Sequence, residues 1–245
     1  MVLLVKDLAL NFKFKLLNST ADMSSSKSDT SRPESANVPA AVVNRLSMYL
    51  RELQHLLSDG SETTSSSQLG RRLGFTDAQV RKDLAHFGHF GHPGIGYRCQ
   101  ELVGAIRKIL GTDREWRVVL VGVGNLGRAL LGYRGFHRGG FKLVAAFDTD
   151  PAMIGTEIEG VMVHNFSRLD EIITTSQVEL GLVAVPAPVA QEVADRLVAA
   201  GVGGILNFAP VTLSVPDGVS KIGVDLAREL EQVTFAVANR LKESE

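Results

Sequence analysis

Apolar residues recur at helical spacing through the first half of the chain. Val42, Leu46, Leu50, Leu53 and Leu57 follow one another by four, four, three and four positions. They predict one stripe on a helix that opens at Pro39 and stops at Gly60. Ser65 and Gln68 read as a capping box for a short helix with Leu69 and Leu73 inward. Gly74 breaks that helix, and Thr76 and Gln79 form a second box two residues later. The helix that follows has Val80, Leu84 and Phe87 on one face and ends at Gly88. Residues 87–98 hold four glycines, which suits a tight hairpin and not a helix. Leu102, Ile106 and Leu110, spaced by four, predict another helix before Gly111–Asp113.

The pattern then changes period. Trp116–Val121 is a continuous apolar run of strand type that leads straight into Gly122-Val123-Gly124-Asn125-Leu126-Gly127. Lys142–Phe147 is a second strand, and further strands are expected at 161–163, 180–185 and 204–208. Helices are expected at 168–173 and 188–200, and this alternation implies a parallel sheet. A last stripe, Leu226, Leu230, Val233, Val237 and Leu241 with Phe235 beside it, predicts a helix over 225–241. Either a dimer partner or its own chain covers that stripe.

The expected fold is therefore α/β. It comprises a winged-helix domain over 39–111, a Rossmann-like parallel-sheet domain over 112–224 and a C-terminal dimerisation helix over 225–245. Residues 1–38 are expected to form a disordered leader, with Met23 a candidate start. Seven serines among residues 19–38 cannot bury enough apolar surface to fold, and Lys6 and Asp7 interrupt any signal-peptide core.

Composition narrows the classes. No apolar run reaches the roughly 18 residues needed to cross a bilayer. Cys99 is the one cysteine, which excludes an internal disulfide framework and a multi-cysteine zinc site and suits a cytoplasmic setting. Net charge is −1 but uneven: residues 39–110 hold nine basic and six acidic side chains, and residues 111–245 hold twelve and seventeen. A basic segment joined to an acidic one points to two domains with different partners.

The candidate chemistry follows this division. Two capped helices across a tight turn fit a helix-turn-helix, whose second helix enters the major groove. Gln79, Arg81 and Lys82 on that helix suit adenine, guanine and phosphate, with Thr76 at its start. The hairpin then reads as a wing that brings His92, Tyr97 and Arg98 towards DNA. His86, His89 and His92 lie close in sequence, but no carboxylate or thiol cluster joins them, so no metal is expected. In the second domain the glycines permit a tight turn, backbone approach to a pyrophosphate and close helix–strand packing. Asp148, 21 positions after Gly127, suits the adenosine ribose hydroxyls and favours NAD+ and NADH over their 2′-phosphorylated forms. The strand ends Val185-Pro186-Ala187 and Asn207-Phe208-Ala209 are placed to line the nicotinamide side.

The combination resembles the Rex family of redox-sensing repressors. The resemblance rests on Thr76–Leu84, the Phe-Gly-x-Phe-Gly stretch at 87–91, Gly94–Tyr97, Gly122–Gly127, Phe147-Asp148 with Asp150-Pro151, and Asn207–Pro210, and it spans about 39–241. It implies a homodimer that represses genes of anaerobic or fermentative metabolism from pseudo-palindromic operator DNA and is released by NADH. It also implies that Tyr133 lies near the nicotinamide and that Asp225 pairs with Arg51, so that Arg51, Tyr133 and Asp225 link cofactor to DNA binding. Pro93 stands where the family often carries a basic residue. The competing class is an NAD-dependent oxidoreductase with a helical substrate domain, for which His137 is the candidate acid/base. A third is an assembly module that does not use its nucleotide site.

Overall fold

The computed structural model describes residues 39–92 and 94–242. The expectations for the leader and for Pro93 lie outside the described residues. The chain divides after Arg114 into two compact units.

The first unit is built on α1 (Ala40–Ser58), α2 (Ser66–Leu73), α3 (Asp77–Ala85) and α4 (Cys99–Ile109). Its core joins Leu46, Tyr49, Leu53 and Leu56 of α1 to Leu69, Val80, Leu84, Leu102 and Ile106. The buried stripe of α1 is thus turned from the expected one: Tyr49 and Leu56 are buried, while Leu50 and Leu57 sit at the margin. Tyr49 escaped a purely aliphatic pattern because its hydroxyl needs a buried partner. Both expected N-caps form, with Gln68 N–H donating to Ser65 Oγ and Gln79 N–H to Thr76 Oγ1 (3.1 Å each). Neither box closes reciprocally in the described contacts. The Gln68 carbonyl accepts from Thr64 Oγ1, and the Gln79 amide turns away towards Asp83.

Gly74 caps α2 in the left-handed conformation at φ +74°. Gly70 permits the close crossing of the two helices, because a Cβ there would sit 2.5 Å from the Phe75 carbonyl oxygen. The hairpin forms between β2 (Gly91–His92) and β3 (Gly96–Arg98). A strand that the sequence pattern left as loop, β1 (Thr63–Thr64), completes a three-stranded antiparallel sheet in the order β1-β3-β2. Two residues are too few to show a period.

The second unit is a seven-stranded sheet. Its strands are β4 (Trp116–Val121), β5 (Phe141–Asp148), β6 (Glu157–Ile158), β7 (Val161–Asn165), β8 (Leu180–Val183), β9 (Gly204–Asn207) and β10 (Ser220–Gly223). The order is β10-β9-β8-β4-β5-β7-β6, and every pairing but β6–β7 is parallel. Between strands lie α5 (Asn125–Leu131), α6 (Arg134–Arg138), α7 (Leu169–Thr175) and α8 (Ala187–Ala199). Alternate residues of β4 enter two cores. Val119 and Val121 join Leu169, Ala190 and Leu197, whereas Val118 and Leu120 join Leu130 and Val163. Cover on both faces explains an uninterrupted apolar strand. The final helix, α9 (Leu226–Lys242), buries no residue and leaves Leu226, Leu230, Val233, Phe235, Val237 and Leu241 exposed.

Candidate nucleotide cleft and DNA-reading helix

Strand order reverses between β4 and β8, and ligands of open α/β sheets bind beyond the carboxyl ends at such a point. Register aligns the row. Val121 lies beside Phe147 on one side and Val183 on the other, and Val183 lies beside Asn207. The residues immediately after this row are Gly122, Asp148, Ala184 and Phe208, and the expected Val185 follows one position later.

Each glycine of the turn has a distinct reason. Gly122 has φ +94°, and a Cβ there would collide with the Ala184 carbonyl. A Cβ on Gly127 would strike the carbonyl oxygen of Gly122, so its absence lets α5 close on the turn. Gly124 has an ordinary φ of −67°, and a Cβ there would meet no protein atom within 4 Å. That open space, at the start of α5, fits the approach of a dinucleotide pyrophosphate.

Asp148 is half-buried at the end of β5. Its Oδ2 accepts from the Val123 N–H (2.6 Å), and its Oδ1 from the N–H groups of Thr149 and Asp150 (2.7 and 2.9 Å). The carboxylate is thereby aimed; Oδ1 is filled by its two backbone donors, and Oδ2 keeps a second lone pair. Asn125 accepts from Arg128 Nη2 at 2.9 Å. Arg128, one turn beyond Gly124, is exposed.

Some expected cofactor residues serve the cleft from behind. Val123 and Ala209 are buried. Asn207 is buried too, and its side chain is consumed by its own loop: Nδ2 donates to the carbonyls of Ala209 and Val211, and Oδ1 accepts from Ala209 N–H. It therefore shapes the strand end, where Phe208, Val185 and Ala187 are half-buried and Leu126 and Pro186 are exposed. Tyr133 precedes α6, its ring edge-on to Phe136 with centroids 5.1 Å apart. Gly135 leaves room for the Tyr133 ring. Asp225 caps α9, accepting from the N–H groups of Ala227 and Arg228. Arg51 is an exposed residue of α1. His137 is exposed on α6, and burial followed by the nearby Arg168 pushes the His164 imidazole below its ordinary pKa.

In the first unit α3 is organised by Asp83, which the sequence reading did not assign to this site. Its carboxylate is buried and receives Arg45 Nε (2.5 Å) and Tyr49 OH (2.7 Å) on Oδ2, and Arg45 Nη2 (2.8 Å) and Gln79 Nε2 (2.7 Å) on Oδ1. Burial pushes its pKa up, but the hydrogen bonds from Arg45, Tyr49 and Gln79 outweigh this and hold it below the usual carboxylate range. Burial and the bond to Asp83 push the Tyr49 phenol up.

Thr76 and Lys82 are exposed as expected, and Arg81 lies outward between Asp77 Oδ2 (2.6 Å) and Ser66 Oγ (3.2 Å). His92 and Arg98, exposed on the hairpin, both face Glu101 at 3.6 and 3.7 Å. Tyr97 is not at the surface. Its ring lies in the core of the unit, where burial raises its phenol pKa, so it supports the hairpin from within. Among the described residues no group of three or more His, Cys, Asp or Glu is placed to hold a metal, and no helix is long and apolar enough to cross a membrane.

Comparison with known proteins matches residues 37–85 to the family model "Putative DNA-binding protein N-terminus" and residues 113–211 to "CoA binding domain". The redox-sensing transcriptional repressor Rex of Rhodopirellula baltica is 45% identical over 224 residues, covering 91% of this chain and 94% of its own. The chain belongs to the Rex family. The Rex of Carboxydothermus hydrogenoformans is 49% identical over 200 residues, 82% of this chain and 96% of its own. Among solved structures of the family, RSP in complex with β-NAD+ and operator DNA superposes with a TM-score of 0.80 at 36% identity, covering 85% of this chain and 96% of its own. RSP in complex with β-NADH gives 0.76 at 35%, covering 85% and 99%.

Proposed function

We propose that this chain is a transcriptional repressor that binds operator DNA through α3 and the hairpin and releases it when NADH occupies the cleft beyond β4 and β8. One observation carries the reading. A capped helix pair with an antiparallel hairpin shares a chain with a parallel sheet whose switch point holds a glycine turn, open space at Gly124 and an aimed carboxylate at Asp148. In this reading Gly122, Gly124 and Gly127 receive the pyrophosphate, with Val123, Asn125 and Leu126 completing the turn. Asp148 holds the ribose, and Tyr133, Val185, Pro186, Ala187, Asn207, Phe208 and Ala209 form or back the nicotinamide side. NADH brings a neutral ring where NAD+ brings a cation, and an apolar lining penalises burial of the cation.

Thr76, Gln79, Arg81, Lys82, His92 and Arg98 face DNA, with Tyr97 holding the hairpin that carries two of them. Arg51, Tyr133 and Asp225 transmit cofactor binding to DNA. A second copy of the chain covers the exposed face of α9, and the twofold dimer reads a pseudo-palindrome with half-sites about one helical turn apart. The protein acts in the cytoplasm and is not an enzyme; a solvent-exposed His137 is a poor acid/base for hydride chemistry.

The test is a mobility-shift titration on a palindromic operator of the family. NADH is expected to release the DNA at far lower concentration than NAD+. DNA binding indifferent to both would refute the redox switch, and no sequence-selective binding at modest salt would refute the repressor.

A further inference from the structure

Gln79 is amphoteric. Its amide carries an acceptor and two donors, and a free glutamine rotates to present whichever a base requires. In this structure it is not free. Nε2 donates to Asp83 Oδ1 at 2.7 Å, and the backbone N–H of the same residue is held by Thr76 Oγ1 at 3.1 Å. The orientation of the amide follows from chemistry. An ionised carboxylate only accepts, so rotating the amide would set Oε1 against Oδ1, two acceptors at hydrogen-bond distance with no proton between them. Asp83 cannot swing away to relieve this, because it is buried, Arg45 grips it through both oxygens from a half-buried position, and Tyr49 adds a third bond from the core.

We propose that Asp83 locks Gln79 as an amino-group reader: with Nε2 held inward, Oε1 faces the major groove and accepts from the exocyclic amine of a base. This rests on the DNA-binding reading above. Adenine is the preferred partner, since its N6 amine meets Oε1 and its N7 can take the second amide hydrogen. Cytosine offers an amine alone. Guanine and thymine can take only that second amide hydrogen and set O6 or O4 against the carbonyl, so they are disfavoured, because the rotation that would present both donors is blocked. Gln79 is thus a specificity-determining residue, and Asp83 is a positioning residue that acts through it.

The experiment is selection from a library of randomised palindromic duplexes with the full chain, in the absence of NADH. It compares wild type, Gln79→Met, which keeps the stem and removes the amide, and Asp83→Asn, whose own amide can pair with Gln79 in either orientation. Thermal melting of each variant is recorded alongside. Wild type is expected to select adenine, with cytosine second, at one symmetric position in each half-site. Gln79→Met should lose about tenfold discrimination at that position alone, with unchanged melting and unchanged preferences elsewhere. Asp83→Asn, if folded, should admit guanine or thymine there. If it melts early, Gln79→Met alone decides.

Unaltered selectivity in Gln79→Met overturns the proposal while leaving the repressor standing. A wild-type preference for guanine or thymine at the position that Gln79→Met relaxes also overturns it, since the amide would then face the other way. Failure of the wild type to select any sequence removes the DNA reading itself.

Discussion

Asp83 is buried in the helical unit and takes its hydrogen bonds from the side chains of Arg45, Tyr49 and Gln79. Asp148, half-buried at a strand end, takes its bonds from the backbone of the loops it joins. Both are held in a fixed orientation, by different means. Side-chain donors that converge on a buried carboxylate are stranded if it is removed, so Asp83 is bound up with stability. Backbone donors beside an open cleft can turn to water, so Asp148 is free to serve affinity. Preorganisation is costly to lose at one site and cheap at the other.

The harshest trial of this contrast is Asp83→Ala. It leaves the Arg45 cation and two further donors facing an apolar hole, and the helical unit should lose about 3–5 kcal/mol of stability. Calorimetry should register that loss while NADH binding by the sheet unit persists. If both units melted together and NADH binding vanished, the contrast would fail. Next comes a pair of alanine substitutions in the glycine turn. Gly127→Ala drives a methyl into the Gly122 carbonyl and should cost about 1–3 kcal/mol as well as cofactor binding. Gly124→Ala, which fills space open to the ligand, should leave melting unchanged and weaken NADH about tenfold, roughly 1.4 kcal/mol, in a fluorescence titration. Equal melting losses for the two would mean that the space at Gly124 is not reserved for a ligand.

Asp148→Asn should also fall near tenfold in NADH affinity with little change in melting. It should in addition narrow the preference for NADH over its 2′-phosphorylated form, because the repelling charge is gone. The smallest effect concerns pH. The carboxyl of Asp83 is held below its ordinary value of 3.8 in the folded state. Its contribution is complete above that value and is lost as pH falls through the lower, folded-state pKa. Wild type and Asp83→Asn should therefore show parallel stability curves near neutrality and converge only in acid. A divergence starting near pH 6 would point to another group.

Much of the cleft was legible because its determinants are local. A buried parallel strand is apolar throughout, the glycine turn follows it directly, and Asp148 ends the next strand. The capped helices were legible for the same reason. What escaped was set by distant neighbours. Asp83 looked like one more charge on a polar helix, and only α1 reveals it as a hub, although its i,i+4 spacing from Gln79 was a visible hint. Tyr97 looked like a surface contact of the wing, but its ring is buried in the core behind the hairpin. Asn207 looked like a ligand contact, but its amide is spent on its own loop. Strand β10 is exposed along its length, so it carries no burial period, and the short β1, β6 and α6 are defined by pairing and turn geometry that no periodicity records.

The hub around Asp83 bears on how this domain would be retargeted. Libraries for new operator preferences usually vary the outward residues of a reading helix. Here the direction in which one reader faces is decided from the interior, by Arg45, Tyr49 and Asp83. Varying those positions together with Gln79 opens a set of specificities that surface diversification alone cannot reach, and explains in advance why a screen confined to the groove face would stall at one base pair.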